Sequence, residues 1–85
     1  MKFEDAILRI KQELHRAETL HPVWPTDKIH AAAIVSEESG ELVQACNNHE
    51  SGDKSDLREM DHLRKKVELE AIHTAVTAIR FLINM

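Results

Sequence analysis

The chain of 85 residues has little with which to make turns or cross-links: two glycines, two prolines and one cysteine. So few turn formers exclude a sheet protein of many hairpins, while an apolar share of 42% is too high for a disordered chain. Cys46 has no partner for an internal disulfide, so a reducing compartment, the cytoplasm, is the expected setting. Positive charge is scarce as well, with 11 Lys and Arg against 15 Asp and Glu, and no basic patch is interleaved with aromatics. Backbone recognition of nucleic acid draws on clustered cations, and that class of partner is excluded. Residues Met1 to Asp5 turn acidic at once and lack an apolar signal core, as expected of a mature cytosolic N-terminus. The longest apolar tract, Leu69 to Met85, is interrupted by Glu70, His73 and Arg80 and falls short of the roughly 20 residues of a bilayer span. What is left is a soluble all-α chain forming one domain over residues 1–85. A chain of this length buries only roughly 60–65% of its unfolded surface when it folds alone, so its stability is marginal without a partner.

Three helices follow from the apolar periodicity. Phe3, Ile7, Ile10, Leu14 and Ala17 recur at steps of four and three, which predicts an amphipathic helix over residues 3–19. Pro22 and Pro25 end it and hold the connector around Trp24 extended, and Thr26 or Asp27 supplies an N-cap for a second helix over 27–48. Its expected core stripe is Ile29, Ala32 or Ala33, Ser36, Gly40 and Val43, with Ile34, Glu38, Glu41 and Ala45 on an overlapping face. Gly40 costs about 1 kcal/mol relative to Ala in a helix, which points to close approach by a neighbouring helix or a ligand. Turn formers concentrate in residues 47–55, and Asp56 followed by Glu59 is a capping-box spacing that starts a third helix running to about Ile83. That helix is amphipathic through Leu57, Met60, Leu63 and Val67 and apolar nearly all round thereafter, more than two short helices can cover. The expected architecture is a three-helix chain, with the second and third helices as a long antiparallel hairpin, assembling into an oligomeric bundle as a dimer or tetramer.

Chemistry concentrates in two clusters. Glu37, Glu38 and Glu41 put three carboxylates in five residues, and Glu38 and Glu41, three apart, share a helix face with β-carbons about 5–6 Å apart. Glu70 and His73 repeat that spacing among Leu69, Ala71, Ile72, Ala75 and Val76, surroundings in which a carboxylate is costly unless paired or coordinated. Neighbours in an antiparallel hairpin have residue numbers of constant sum. Pairing Glu41 with Glu70 and Glu38 with His73 gives the same sum and puts the reversal near residue 55, inside the loop located separately from turn chemistry.

Glu37-Glu38-Ser39-Gly40-Glu41 followed by Glu70-Ala71-Ile72-His73 resembles the EExxE and ExxD signature of the MazG-like all-α nucleoside triphosphate pyrophosphohydrolases, and the flanking tracts extend the likeness over residues 15–83. The resemblance implies a small single-domain branch of that superfamily that releases pyrophosphate from a nucleoside triphosphate, as in house-cleaning of non-standard nucleotides. It implies Glu38, Glu41 and Glu70 as ligands of Mg²⁺ or Mn²⁺, and Glu37 as a neighbouring catalytic carboxylate that orients or deprotonates water. His73 stands where the family pattern has Asp. Imidazole suits Mn²⁺, Fe²⁺ or Zn²⁺ better than Mg²⁺. Three readings follow: His73 supports three carboxylate ligands, it ligates and shifts the metal preference, or it marks a chain that has lost activity.

Further substrate candidates each carry a plainer reading. Trp24 stacks on a base or plugs the connector. Arg80, expected opposite Ala31, touches phosphate or closes a subunit salt bridge. Lys54, Lys65 and Lys66 contact phosphate or are solvated charges. Two other functions compete with hydrolysis. One is a non-catalytic helical oligomerisation module; the other is a carboxylate-bridged di-iron bundle, since Glu70 to His73 is also a Glu-x-x-His pattern.

Overall fold

A computed structural model describes residues 1–85 as three helices and no strands: α1 Phe3–Leu20, α2 Lys28–Ser51 and α3 Leu57–Ile83. Asp27 caps α2 by accepting from the Ile29 amide at 2.9 Å, and Asp56 caps α3 by accepting from the Glu59 amide at 3.1 Å. The Asp56 amide itself donates to the Asp53 carbonyl, so one half of the expected capping box forms. Helix α2 runs three residues beyond its expected end, because Asn47, Asn48 and His49 tolerate a last helical turn. The reversal is confined to residues 52–56.

Helix α3 is the spine. Both other helices pack on it, and they do not pack on each other. The α2–α3 hairpin is antiparallel, whereas α1 runs parallel to α3: Arg9 meets Glu68, Glu13 meets His73 and Arg80 meets the His21 carbonyl, all at number differences of 59 or 60. Helices α1 and α2 therefore flank one face of α3 and leave a cleft between them. The connector at residues 21–27 closes its end.

The inward face of α2 differs from the expected stripe. Ala31 and Ala45 are buried and Ile34, Glu38 and Leu42 are half-buried, while Ile29 (80% exposed), Ala32, Ala33, Ser36, Gly40 and Val43 face outward. Small residues lie on every side of this helix, so apolar periodicity could not choose between the two faces. No atom of another element would lie within 4 Å of a Cβ at Gly40. The close neighbour expected there is not supplied by this chain. The buried core is small, four apolar residues with Glu70 and Arg80 among them. No helix is long and apolar enough to cross a membrane.

Candidate metal centre

Each helix contributes one face of the cleft. The hairpin register brings Glu38 of α2 against Glu70 and His73 of α3, and one ligand atom from each lies within 4.8 Å of the other two. His73 Nδ1 is 3.7 Å from Glu70 Oε2 and 3.8 Å from Glu38 Oε2, too far for hydrogen bonds. Both of those carboxylate oxygens are buried and have no hydrogen-bond partner. Glu70 is 3% exposed, and its other oxygen takes an ion pair from Lys66 at 2.9 Å.

The two carboxylates respond oppositely to this setting. Glu38 has a raised pKa: burial penalises its charge and the neighbouring Glu41 and Glu70 carboxylates repel it, which together outweigh attraction by His73. Burial also pushes Glu70 up, but the hydrogen bond and charge of Lys66, with help from Glu41 and His73, carry its pKa below the ordinary glutamate value. The site thus sets a carboxylate whose charge is favoured beside one whose charge is penalised.

Two residues outside the acidic motifs complete the surroundings. Glu13 of α1 approaches His73 Nε2 at 3.4 Å and is gripped at two points by Arg16, whose Nη2 lies 2.6 Å and Nε 3.0 Å from its oxygens. That grip lowers the Glu13 pKa against the opposing effect of burial. Glu13 follows Ile10 by three and precedes Ala17 by four, so it sits on the apolar stripe of α1. A carboxylate on a half-buried apolar stripe is the signal that could have found it.

Among the other expected site residues, Glu41 is exposed and adjoins Glu38 and Glu70 without joining the three-atom group. Glu37 is exposed and does not line the cleft. Lys54 lies in the hairpin turn, where Nζ donates to the Glu50 carbonyl at 3.2 Å, far along the hairpin from the cluster. Lys65 pairs with Asp61. Arg80 is buried and already engaged: its guanidinium stacks 4.9 Å from the Trp24 ring centre and donates to the His21 carbonyl, while Nε has no partner. Trp24 and Arg80 form one end wall of a cleft of about 320 Å³, with Ile34, Val76 and Thr77 along it and Glu38, His73, Glu13 and Arg16 at the other end.

The donor set suits a divalent cation. The two His73 separations are short enough for the three side chains to share one ion, and the group could hold a metal. An ion there would give the two unpartnered buried oxygens a partner. Compared with protein-family models, curated proteins and solved structures, the chain matches none.

Proposed function

We propose that the chain is a metal-dependent nucleoside triphosphate pyrophosphohydrolase, acting in the cytoplasm, with its ion held by Glu38, Glu70 and His73 and with Glu41 beside them. The observation that supports it most is the pair of buried, unpartnered carboxylate oxygens beside His73 Nδ1. Such oxygens are costly to leave unpaired, and a divalent cation satisfies both at once. Mg²⁺ or Mn²⁺ is the expected ion, and the imidazole favours Mn²⁺ of the two.

In the reaction, water adds to the α-phosphorus, the bond from that phosphorus to the α,β-bridging oxygen breaks, and pyrophosphate leaves with the electron pair. When bound, a divalent ion draws charge from the phosphoryl oxygens and acidifies water. Glu37, expected as the catalytic carboxylate, faces away from the cleft, so the water's proton passes to Glu41, which adjoins the cluster on its exposed side, and on to solvent. Arg16 offers positive charge to the phosphates, and Trp24, Ile34 and Val76 offer an apolar wall to the base. Arg80 holds that wall by tying Trp24 and the His21 carbonyl of the connector to α3.

The working unit is a homo-oligomer. A compact monomer of 9.7 kDa exposes about 5,100 Å². This protomer exposes 6217 Å², an excess of about 1,100 Å², which is the share one subunit contributes to a stable dimer interface. The apolar groove of Ala32, Val35, Ala78, Phe81 and Leu82 on the hairpin is the surface that a second copy would cover.

The test is pyrophosphate release across a panel of ordinary and modified nucleoside triphosphates with Mg²⁺ and with Mn²⁺. At least one should turn over, and Glu38→Ala and Glu70→Ala should abolish the release. A panel silent with both ions would leave the chain a non-catalytic helical module.

A further inference from the structure

His73 faces carboxylates on both sides of its ring. Nδ1 looks toward Glu38 Oε2 and Glu70 Oε2, and Nε2 toward Glu13 Oε1 at 3.4 Å. Glu70 is more than nine-tenths buried and aims an unpartnered oxygen at this ring, so the cluster is more than a group of acidic side chains. A neutral imidazole carries one N–H and one lone pair. Carboxylates face both ring nitrogens, one at Nε2 and two at Nδ1, so in the absence of an ion neither tautomer satisfies every neighbour. An ion held among Nδ1, Glu38 and Glu70 would need the Nδ1 lone pair, which leaves the ring's proton on Nε2, the side that faces Glu13 Oε1 at 3.4 Å. Arg16 keeps Glu13 in place by gripping both of its oxygens.

We propose that Glu13 is a positioning residue that fixes His73 as an Nδ1 ligand, so that Glu38, Glu70 and His73 take a divalent transition-metal ion in preference to Mg²⁺. The proposal rests on the metal reading above and is independent of nucleotide chemistry. Its physical basis is twofold. A ligating histidine donates its other N–H to a carboxylate that sets the ring's tautomer and orientation. Imidazole nitrogen adds far more to the binding of Mn²⁺, Co²⁺ or Zn²⁺ than to that of Mg²⁺, a hard ion that prefers oxygen and keeps its water. The consequence reaches beyond the cleft, since Glu13 ties α1 to the ion site and metal loading should tighten the α1–α3 contact.

The test uses the full chain without nucleotide, titrated with Co²⁺ and with Mg²⁺ in a calorimeter. Co²⁺ should bind about tenfold or more tighter than Mg²⁺, and Glu13→Ala should weaken Co²⁺ by about 10–100-fold while moving Mg²⁺ by no more than about twofold. In a His73→Asp background the Co²⁺ preference should shrink, and Glu13→Ala should then have no further effect, because Glu13 acts through the ring. Glu13→Gln keeps an acceptor oxygen and should retain part of the Co²⁺ affinity. Long-range proton–nitrogen spectra of the Zn²⁺-loaded wild type should show His73 protonated at Nε2 and metallated at Nδ1, a readout that stands even if Glu13→Ala does not fold. Equal affinity for the two ions, an equal loss of both in Glu13→Ala, or an Nδ1–H tautomer in the Zn²⁺ form would overturn the proposal. Metal selectivity without nucleotide turnover would overturn the enzymatic reading alone.

Discussion

Glu38 carries a carboxylate that its surroundings resist charging, and that cost belongs to the metal-free protein. Its folded pKa lies above the unfolded one because of burial and of Glu41 and Glu70, so the folded state holds the proton more tightly than the unfolded state does. The penalty is absent below the ordinary glutamate value of about 4.3 and grows as pH rises through the raised folded value. Glu13 behaves oppositely: its lowered pKa adds stability above the ordinary value that is lost as pH falls through the lower folded one. Glu38→Gln should therefore raise the melting temperature in a chelator at neutral pH, with the gain vanishing near about pH 4. The same substitution should remove the stabilisation by divalent ions. Melts from acid to neutral pH check both, and a gain independent of pH would show that charge at Glu38 is not its source.

At the level of the helices, two glycines make opposite predictions. A Cβ at Gly52 would meet Met60 Cε and lie 2.7 Å from Leu63 Cδ1, although the backbone there, at φ −69°, is one that alanine adopts freely. Gly52→Ala should cost up to about 1 kcal/mol, because the Met60 and Leu63 methyls must swing aside and the Asn48 carbonyl stands 3.3 Å away. Gly40→Ala, with nothing within 4 Å, should gain about 1 kcal/mol from helix propensity. Urea denaturation of both variants checks the pair, and a loss at Gly40 would mean that a second copy packs on the outer face of α2. The contrast also marks what could be read from the sequence. Caps at Asp27 and Asp56 and the pairing of Glu38 with His73 were legible, because capping oxygens and hairpin register are local constraints. The inward face of α2 was not, since alanine, serine and glycine give apolar periodicity no contrast. Nor was Glu13 beside His73, because no short loop ties α1 to α3 and the parallel register of those helices comes from tertiary packing alone.

For the whole molecule, the excess of exposed surface and the small core make assembly the expected route to stability. Sedimentation should show a dimer or larger species, the melting temperature should rise with protein concentration, and Ala78→Glu in the apolar groove should shift the population toward a less stable monomer. A wild type that is monomeric and stable at every concentration would refute that assembly. The cleft lies on the face of α3 flanked by α1 and α2, and all three helices contribute to it, so metal and nucleotide binding should stabilise the whole fold. A ligand that binds only the native state must raise the melting temperature. The most direct measurement is therefore the melting temperature of wild type and Glu70→Gln with Mg²⁺ or Mn²⁺, alone and with each member of a nucleoside triphosphate panel. The account predicts a rise in the wild type with metal, a further rise with metal and at least one nucleotide together, and neither in Glu70→Gln. A wild-type melting temperature unmoved by either ion would contradict it.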